Sequence, residues 1–210
     1  MSKNYFKIIR AGINTTFQDL GRENLYHIGI PFSGAMDNRN YLISNKLVGN
    51  SSSAPVIEFA YQGPLLRYFG DKINIAITGE VNFTIKKKGN LIKGNCYQSI
   101  VLDNGDELDI LSTKNSVYGY LALGGEIDLK YQWSSCSINT KANIGANEGK
   151  KLGTNQKINF LILQVGHVEY LEMLPASLEN IELFHRIESL QFLPKTLLMF
   201  STKSGSNHRR

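Results

Sequence analysis

The strongest constraint on this chain is a succession of short apolar segments, cut apart at close intervals by glycine, proline and asparagine. Ile73-Asn74-Ile75-Ala76-Ile77 alternates, as a half-buried strand does, and Val81-Asn82-Phe83-Thr84-Ile85 repeats the pattern after a Thr78-Gly79-Glu80 turn. Val56 to Tyr61 and Leu65 to Phe69 are separated by Gly63-Pro64. Lys7-Ile8-Ile9-Arg10 starts a strand. Asp103 to Leu111, with Gly105 and Asp106, reads as a turn entering a strand, and Val117 to Leu123 reads as a central strand. Asn104-Gly105 and Gly124-Gly125 are further turn signals. Strands this short and this evenly spaced predict a mainly β architecture, closed or sandwiched, over residues 1–163.

One helix interrupts the pattern. Asp37 is a good N-cap, residues 38–48 follow with Tyr41, Leu42, Leu47 and Val48 on an apolar side, and Gly49-Asn50 stops the helix. The loop before it, Gly29-Ile30-Pro31-Phe32-Ser33-Gly34-Ala35, is built of small residues. A Ser/Gly loop feeding a helix N-terminus is either an anion site, because free N–H groups point outward there, or an ordinary capped connection. From about Leu163 the strand pattern ends. Ser177 to Phe192 places Leu178, Ile181, Phe184 and Ile187 at helix-like intervals, with Glu179, Glu182 and Glu188 outside and Pro175 and Pro194 as brackets. A short helical tail over 164–210 is expected, ending in a polar, frayed Ser201 to Arg210.

Composition narrows the classes. With 42% apolar and 20% charged residues, the 210-residue chain has material for a sizeable core and is not disordered. The formal charge of +5 is scattered. Its one tight basic run, Lys86-Lys87-Lys88, lies between apolar stretches and reads as a solvated hairpin end rather than a nucleic-acid surface. No run of 18 apolar residues offers a membrane span, and Met-Ser-Lys-Asn-Tyr-Phe-Lys lacks a signal-type apolar region, so a cytoplasmic protein is expected. Cys96 and Cys136 lie 40 residues apart with no CxxC and no nearby His pair, which argues against zinc and against a structural disulfide. Cys136, within Ser134-Ser135-Cys136-Ser137, is a nucleophile or a buried inert thiol, and the inert thiol is the expectation.

The polar residues concentrate between 14 and 58: Thr15-Thr16, Asp19, Gly21-Arg22, His27, Ser33, Asp37, Asn45, Asn50 and Glu58. Arg22 suits bidentate recognition of a carboxylate or phosphate, unless Asp19 simply pairs with it. His27 is a possible general base with no partner legible in the sequence, so a structural or surface role is expected. Glu58, inside an otherwise apolar strand, needs a partner and is a candidate for a shifted pKa. No Walker A, GxSxG or GxGxxG string occurs. Residue patterns alone lead to a β-rich domain with a polar, glycine-rich site near its N-terminal third.

Several strings in order carry more. Gly12 to Arg22 (Gly-Ile-Asn-Thr-Thr-Phe-Gln-Asp-Leu-Gly-Arg), Gly29 to Asp37 (Gly-Ile-Pro-Phe-Ser-Gly-Ala-Met-Asp), Asn45 to Asn50, Ile57-Glu58-Phe59, Gly63-Pro64, Tyr120 to Gly125 and Ser134 to Ser137 resemble the biotin-dependent carboxyltransferase family. That family includes the KipI antagonist KipA, the C subunit of 5-oxoprolinase and allophanate hydrolase subunit 2. Gly145 to Leu152 fits more loosely, with Gly149-Lys150-Lys151-Leu152 where the family has Gly-Arg before Leu.

The resemblance covers roughly residues 5–163. It implies a cyclophilin-like β-barrel with one inserted helix, corresponding to the N-terminal half of the family's domain. The second half's Ser-Asp-Arg-Met-Gly string is missing. Residues after about 163 are accordingly expected to reflect a shifted reading frame or a shortened gene. Ser204-Gly205-Ser206-Asn207, read one base later from suitable codons, would restore Asp-Arg after Ser204.

The resemblance further implies a component of a multi-subunit enzyme acting on a cyclic amide or urea-like carbonyl, either the C subunit of 5-oxoprolinase or a carboxyltransferase. The alternatives are a regulator that binds a KipI-like partner and an inactive fragment. Arg22, Asp37 and Glu58 are the expected catalytic residues. Asp19, Ser33, Gly34, Ala35, Asn45 and Asn50 are the expected substrate-binding residues. No metal is expected, and no cofactor bound directly: ATP or carboxybiotin would act through partners such as 5-oxoprolinase subunits A and B, with no nucleic acid and no membrane involved.

Overall fold

The computed structural model describes residues 4–162, so the expected tail helix lies outside the described residues. The strands are β1 (Asn4–Arg10), β2 (Asn14–Gln18), β3 (Val56–Ala60), β4 (Leu65–Phe69), β5 (Ile73–Thr78), β6 (Val81–Lys87), β7 (Asn90–Lys93), β8 (Ser99–Leu102), β9 (Glu107–Thr113), β10 (Tyr118–Leu123), β11 (Glu126–Ile127) and β12 (Lys157–Leu161). Among the described residues one α-helix, α1 (Asn38–Leu47), lies between β2 and β3, after a one-turn 3-10 helix. All strand pairings are antiparallel, in two sheets ordered β11-β12-β1-β4-β9-β6-β7 and β2-β3-β10-β5-β8.

Strand period two decides where each side chain goes. Phe6 and Ile8 of β1, Leu66 and Tyr68 of β4, and Phe83 and Ile85 of β6 come from the first sheet. They share one buried cluster with Ile57 and Phe59 of β3, Ile75 and Ile77 of β5, and Leu121 and Leu123 of β10 from the second. Each such side chain removed from water contributes roughly 1.5–3 kcal/mol. The intervening positions of the second sheet, Val56, Ala76, Tyr120 and Ala122, form a smaller cluster with Tyr41 and Val48 at α1. The second sheet is therefore covered on both faces. That is why β3 is buried at every position and β10 reads as a nearly continuous apolar run.

The barrel expected from the resemblance is not closed. Among the described residues, β11 and β7 end one sheet and β2 and β8 end the other. The physical reason is visible in those edges. Closure requires every strand to pair on both sides, whereas β11 has two residues and β7 four, all of the latter exposed. The basic run does form a hairpin end. Lys87 opposes Asn90, so Lys88 (φ 47) and Gly89 (φ 87) make a two-residue turn with both central residues left-handed. Lys87 lies 3.5 Å from Asp106, and Lys86 lies 3.8 Å from Glu107. Among the described residues, no helix is long and apolar enough to cross a membrane.

Helix α1 starts as its sequence dictates. Asp37 is the N-cap and accepts from the Asn40 N–H at 3.1 Å and from Asn40 Nδ2 at 2.7 Å. The helix ends one residue earlier than expected, with Gly49 in the left-handed region (φ 75) donating its N–H to Lys46.

Candidate functional site

The site residues read from the sequence fall into three places. The first is buried. Asp19 is 5% exposed and Arg22 2%. They do not pair through their charged atoms; both turn to one segment, Ser135-Cys136-Ser137. Asp19 Oδ1 accepts from the hydroxyls of Ser135 (2.6 Å) and Ser137 (2.5 Å) and from the Gly21 N–H (2.8 Å), while Oδ2 accepts from the Cys136 N–H (2.7 Å). Arg22 donates through Nε to the Gln132 carbonyl (3.2 Å) and through Nη2 to the carbonyls of Ser137 (2.7 Å) and Ser135 (3.4 Å). Burial works against the Asp19 charge. The hydrogen bonds from Ser135, Ser137, Cys136 and Gly21 overcome it, and the carboxyl is held below its usual range. Cys136 is fully buried, and burial together with the Asp19 charge pushes its thiol far up, away from nucleophile chemistry.

The second place is a loop laid on the second sheet. Its backbone is fastened to the first: the Arg22 N–H donates to Phe32 (2.8 Å) and the Ala35 N–H to the Asp19 carbonyl (3.0 Å). Ser33 (φ 59) and Gly34 (φ 95) are consecutive left-handed residues. A side chain at Gly34 would meet the Leu20 carbonyl oxygen at 3.0 Å, so glycine lets the two backbone segments touch. The Ser33 hydroxyl accepts from Asn139 Nδ2 at 3.3 Å. Among the described residues the N–H groups of Ser33 and Gly34 find no acceptor, whereas that of Ala35 is already used.

Glu58 lies beneath this loop, 4% exposed, directly opposite Tyr120 in the β3–β10 register. Its Oε2 accepts from the Tyr120 hydroxyl (2.8 Å) and the Met36 N–H (2.8 Å), and the Tyr120 oxygen accepts from the Asp37 N–H (2.7 Å). Burial raises the Glu58 pKa, the bonds from Met36 and Tyr120 oppose the rise, and the Asp37 charge adds to it; the net shift is upward. Burial and the neighbouring Glu58 also push the Tyr120 phenol far up, so it remains a donor. The arrangement offers two N–H groups without an acceptor among the described residues, a helix N-terminus and a carboxyl with raised proton affinity. That is the equipment for holding a carbonyl oxygen and moving a proton beside it.

The third place is the far end of α1. Asn45 is fully buried and donates to the Ala54 carbonyl (2.8 Å); Asn50 donates to Asn45 Oδ1 (3.2 Å) and Leu123 (2.8 Å) and accepts from the Gly125 N–H (3.1 Å). These two asparagines latch the helix end to β10 rather than lining the Ser33–Asp37 loop. Asn45→Ala is expected to lower stability by about 2 kcal/mol, read from urea unfolding, because it removes one acceptor of the Asn50 amide and one donor to the Ala54 carbonyl. His27 is exposed in a one-turn 3-10 helix, Tyr26–Ile28.

Sequence reading missed Tyr120, Ser135, Ser137 and Asn139 as partners. The Ser134 to Ser137 string was the available signal, but nothing in it names Asp19 as its target.

Known proteins resemble this chain in sequence and fold. Residues 28–179 match the family described as the carboxyltransferase domain, subdomain A and B. The chain is 33% identical over 152 residues to the C subunit of 5-oxoprolinase from Escherichia coli, covering 72% of this chain and 48% of that protein. It is 33% identical over 148 residues to urea amidolyase of Lachancea kluyveri, covering 70% of this chain and 8% of that protein. The crystal structure of Kluyveromyces lactis urea amidolyase superposes on 76% of this chain and 10% of its own, with a TM-score of 0.71 and 28% identity. The chain thus spans about half the length of the bacterial relative and a small part of the yeast ones. Motif order, sheet topology and a matched stretch covering most of the chain agree, and this chain belongs to the carboxyltransferase domain family, subdomain A and B.

Proposed function

We propose that this chain is the carbonyl-binding component of a multi-subunit enzyme that acts on a cyclic amide or urea-like substrate, with 5-oxoproline as the substrate and 5-oxoprolinase subunits A and B as the partners. The observation that carries the reading is the loop at Ser33-Gly34, whose two N–H groups are free among the described residues, above the buried Glu58–Tyr120 pair. In this reading the Ser33 and Gly34 N–H groups polarise the substrate carbonyl and receive the oxyanion. Glu58 exchanges a proton with the amide nitrogen, and Tyr120 holds the carboxyl in place. Asp37 caps α1 and thereby aims the loop. Arg22, whose guanidinium donates to three backbone carbonyls, positions Asp19 and the loop rather than touching substrate. ATP, which would activate the carbonyl, or carboxybiotin, which would supply a carboxyl group, belongs to partner subunits. The cytoplasm is the compartment this reading places it in.

The test is reconstitution. The chain, purified together with its two partner subunits, is supplied with ATP and 5-oxoproline, and glutamate is measured. Glutamate formation that depends on this chain is expected. Carboxylation of urea from carboxybiotin in place of ring opening would move the assignment to the urea branch, and neither activity would overturn the enzymatic reading.

A further inference from the structure

A cavity of about 270 Å³ lies away from the Glu58 site, between the β5–β6 turn, the segment after β7 and the end of β9. That volume equals roughly nine waters' share of liquid, room for a small metabolite. Lys93 and Lys114 line it, together with Asn82, Asn95, Cys96 and Tyr97. Among the described residues neither lysine makes an ion pair, and the N–H groups of Asn95 and Cys96 meet no acceptor. The acidic group at the wall, Glu80, turns one oxygen to Asn115 Nδ2 at 2.7 Å.

The wall is built under strain. Tyr97 holds a left-handed backbone (φ 61), which a bulky side chain adopts only when its surroundings impose it. Those surroundings are specific. The Tyr97 N–H donates to the Ile77 carbonyl (2.8 Å), and its hydroxyl accepts from the Gly79 N–H (3.2 Å) and donates to Asn40 Oδ1 (2.9 Å). Asn40 in turn holds Asp37, the cap of α1. Gly94 is required for the same shape, since a Cβ there would overlap the Phe83 ring.

We propose that this cavity binds a compact oxyanion, a small carboxylate- or phosphate-bearing molecule, between the Lys93 and Lys114 ammonium groups and the free N–H groups of Asn95 and Cys96. Two lysines without an ion pair and two amide donors without an acceptor border this concave wall, and an oxyanion can answer all four, while Glu80 at the same wall keeps one oxygen on Asn115. The Tyr97–Asn40 bond then joins the occupied cavity to the N-terminus of α1. The proposal stands on the cavity and is independent of the amide-processing reading.

The experiment is a titration of the full chain with inorganic phosphate and, separately, succinate, followed by backbone amide NMR shifts. Saturable shifts at Asn95, Cys96 and Asn40 are expected, and preference for one probe identifies the source of the oxyanion. Lys93→Ala with Lys114→Ala weakens the affinity by about tenfold, whereas Lys88→Ala with Lys141→Ala, at exposed lysines elsewhere, leaves it within about twofold. Tyr97→Phe retains binding and loses the Asn40 shift. Absent shifts, shifts spread evenly over the surface lysines, or affinity unchanged in the Lys93/Lys114 variant would each overturn the proposal.

Discussion

Asp19→Ala is expected to lower the stability of the domain by about 4 kcal/mol, measured by urea unfolding at neutral pH. The carboxylate accepts four hydrogen bonds, two from hydroxyls and two from the backbone N–H groups of Gly21 and Cys136. Hydroxyls can turn to new acceptors, but the backbone N–H groups of buried Cys136 and half-buried Gly21 cannot, and a stranded buried donor costs roughly 1–3 kcal/mol. The change also takes away the negative charge nearest to buried Arg22, a loss of the kind that is strongly destabilising. Against a total stability of typically 5–15 kcal/mol this is a large fraction. The pH dependence has a definite sign. The folded-state pKa of Asp19 is below its ordinary value of 3.8, so its stabilisation is present above that pH and is lost as pH falls through the folded value. The parent protein therefore loses stability on acidification below about pH 4, while the variant lacks that part of the fall. A loss under about 1 kcal/mol would show that the Ser135–Ser137 segment is held by something other than this carboxylate.

Much of the fold is legible in the chain, for reasons that also explain what is not. β5 and β6 announce themselves because each buries alternate residues on the shared core. α1 announces itself through Asp37, whose side chain does cap the helix. β2 hides because Asn14-Thr15-Thr16-Phe17-Gln18 is polar by composition yet buried at four of its five positions, the threonine hydroxyls and the Gln18 Nε2 amino group taken up by internal partners while Gln18 Oε1 has none among the described residues. β7 hides because every residue in it is exposed and no period survives. The open sheet edges were not foreseeable from strand spacing, which a barrel and a sandwich share.

The candidate site divides the same way. Glu58 stands out as a carboxylate in an otherwise apolar strand and Asp19 as a neighbour of Arg22; both are buried, Asp19 with donors on both oxygens and Glu58 with two donors on Oε2. Their partners are set by register, not by sequence proximity. Tyr120 faces Glu58 only because β10 pairs with β3, and Ser135 and Ser137 reach Asp19 from more than a hundred residues away. Asn45 and Asn50 carry the same polar signal as Ser33, but they serve the opposite end of the helix.

The proposed function separates residues that hold the fold from residues that would carry chemistry, and Glu58→Gln tests that separation most sharply. The expected result is a domain at least as stable as the parent at neutral pH, in a complex whose ring-opening rate falls by about a hundredfold or more. The stability half follows from linkage. Burial raises the Glu58 pKa above its ordinary value of 4.5, with Asp37 adding to the rise and the bonds from Met36 and Tyr120 only partly offsetting it. Stability tied to the protonated carboxyl is fully present below the ordinary value and is lost as pH rises through the folded one. The parent at neutral pH consequently bears the cost of a buried carboxyl that glutamine does not titrate, while the amide oxygen still accepts from Tyr120 and Met36. The advantage of the variant should therefore grow as pH is raised from acid to neutral. The activity half follows from the proton: an amide at this position neither gives nor takes one. Asp19→Ala and Glu58→Gln thus move stability in opposite directions. An active Glu58→Gln complex would remove the carboxyl from the proposed chemistry, leaving the Ser33 and Gly34 N–H groups as the part of the proposed site still to be tested.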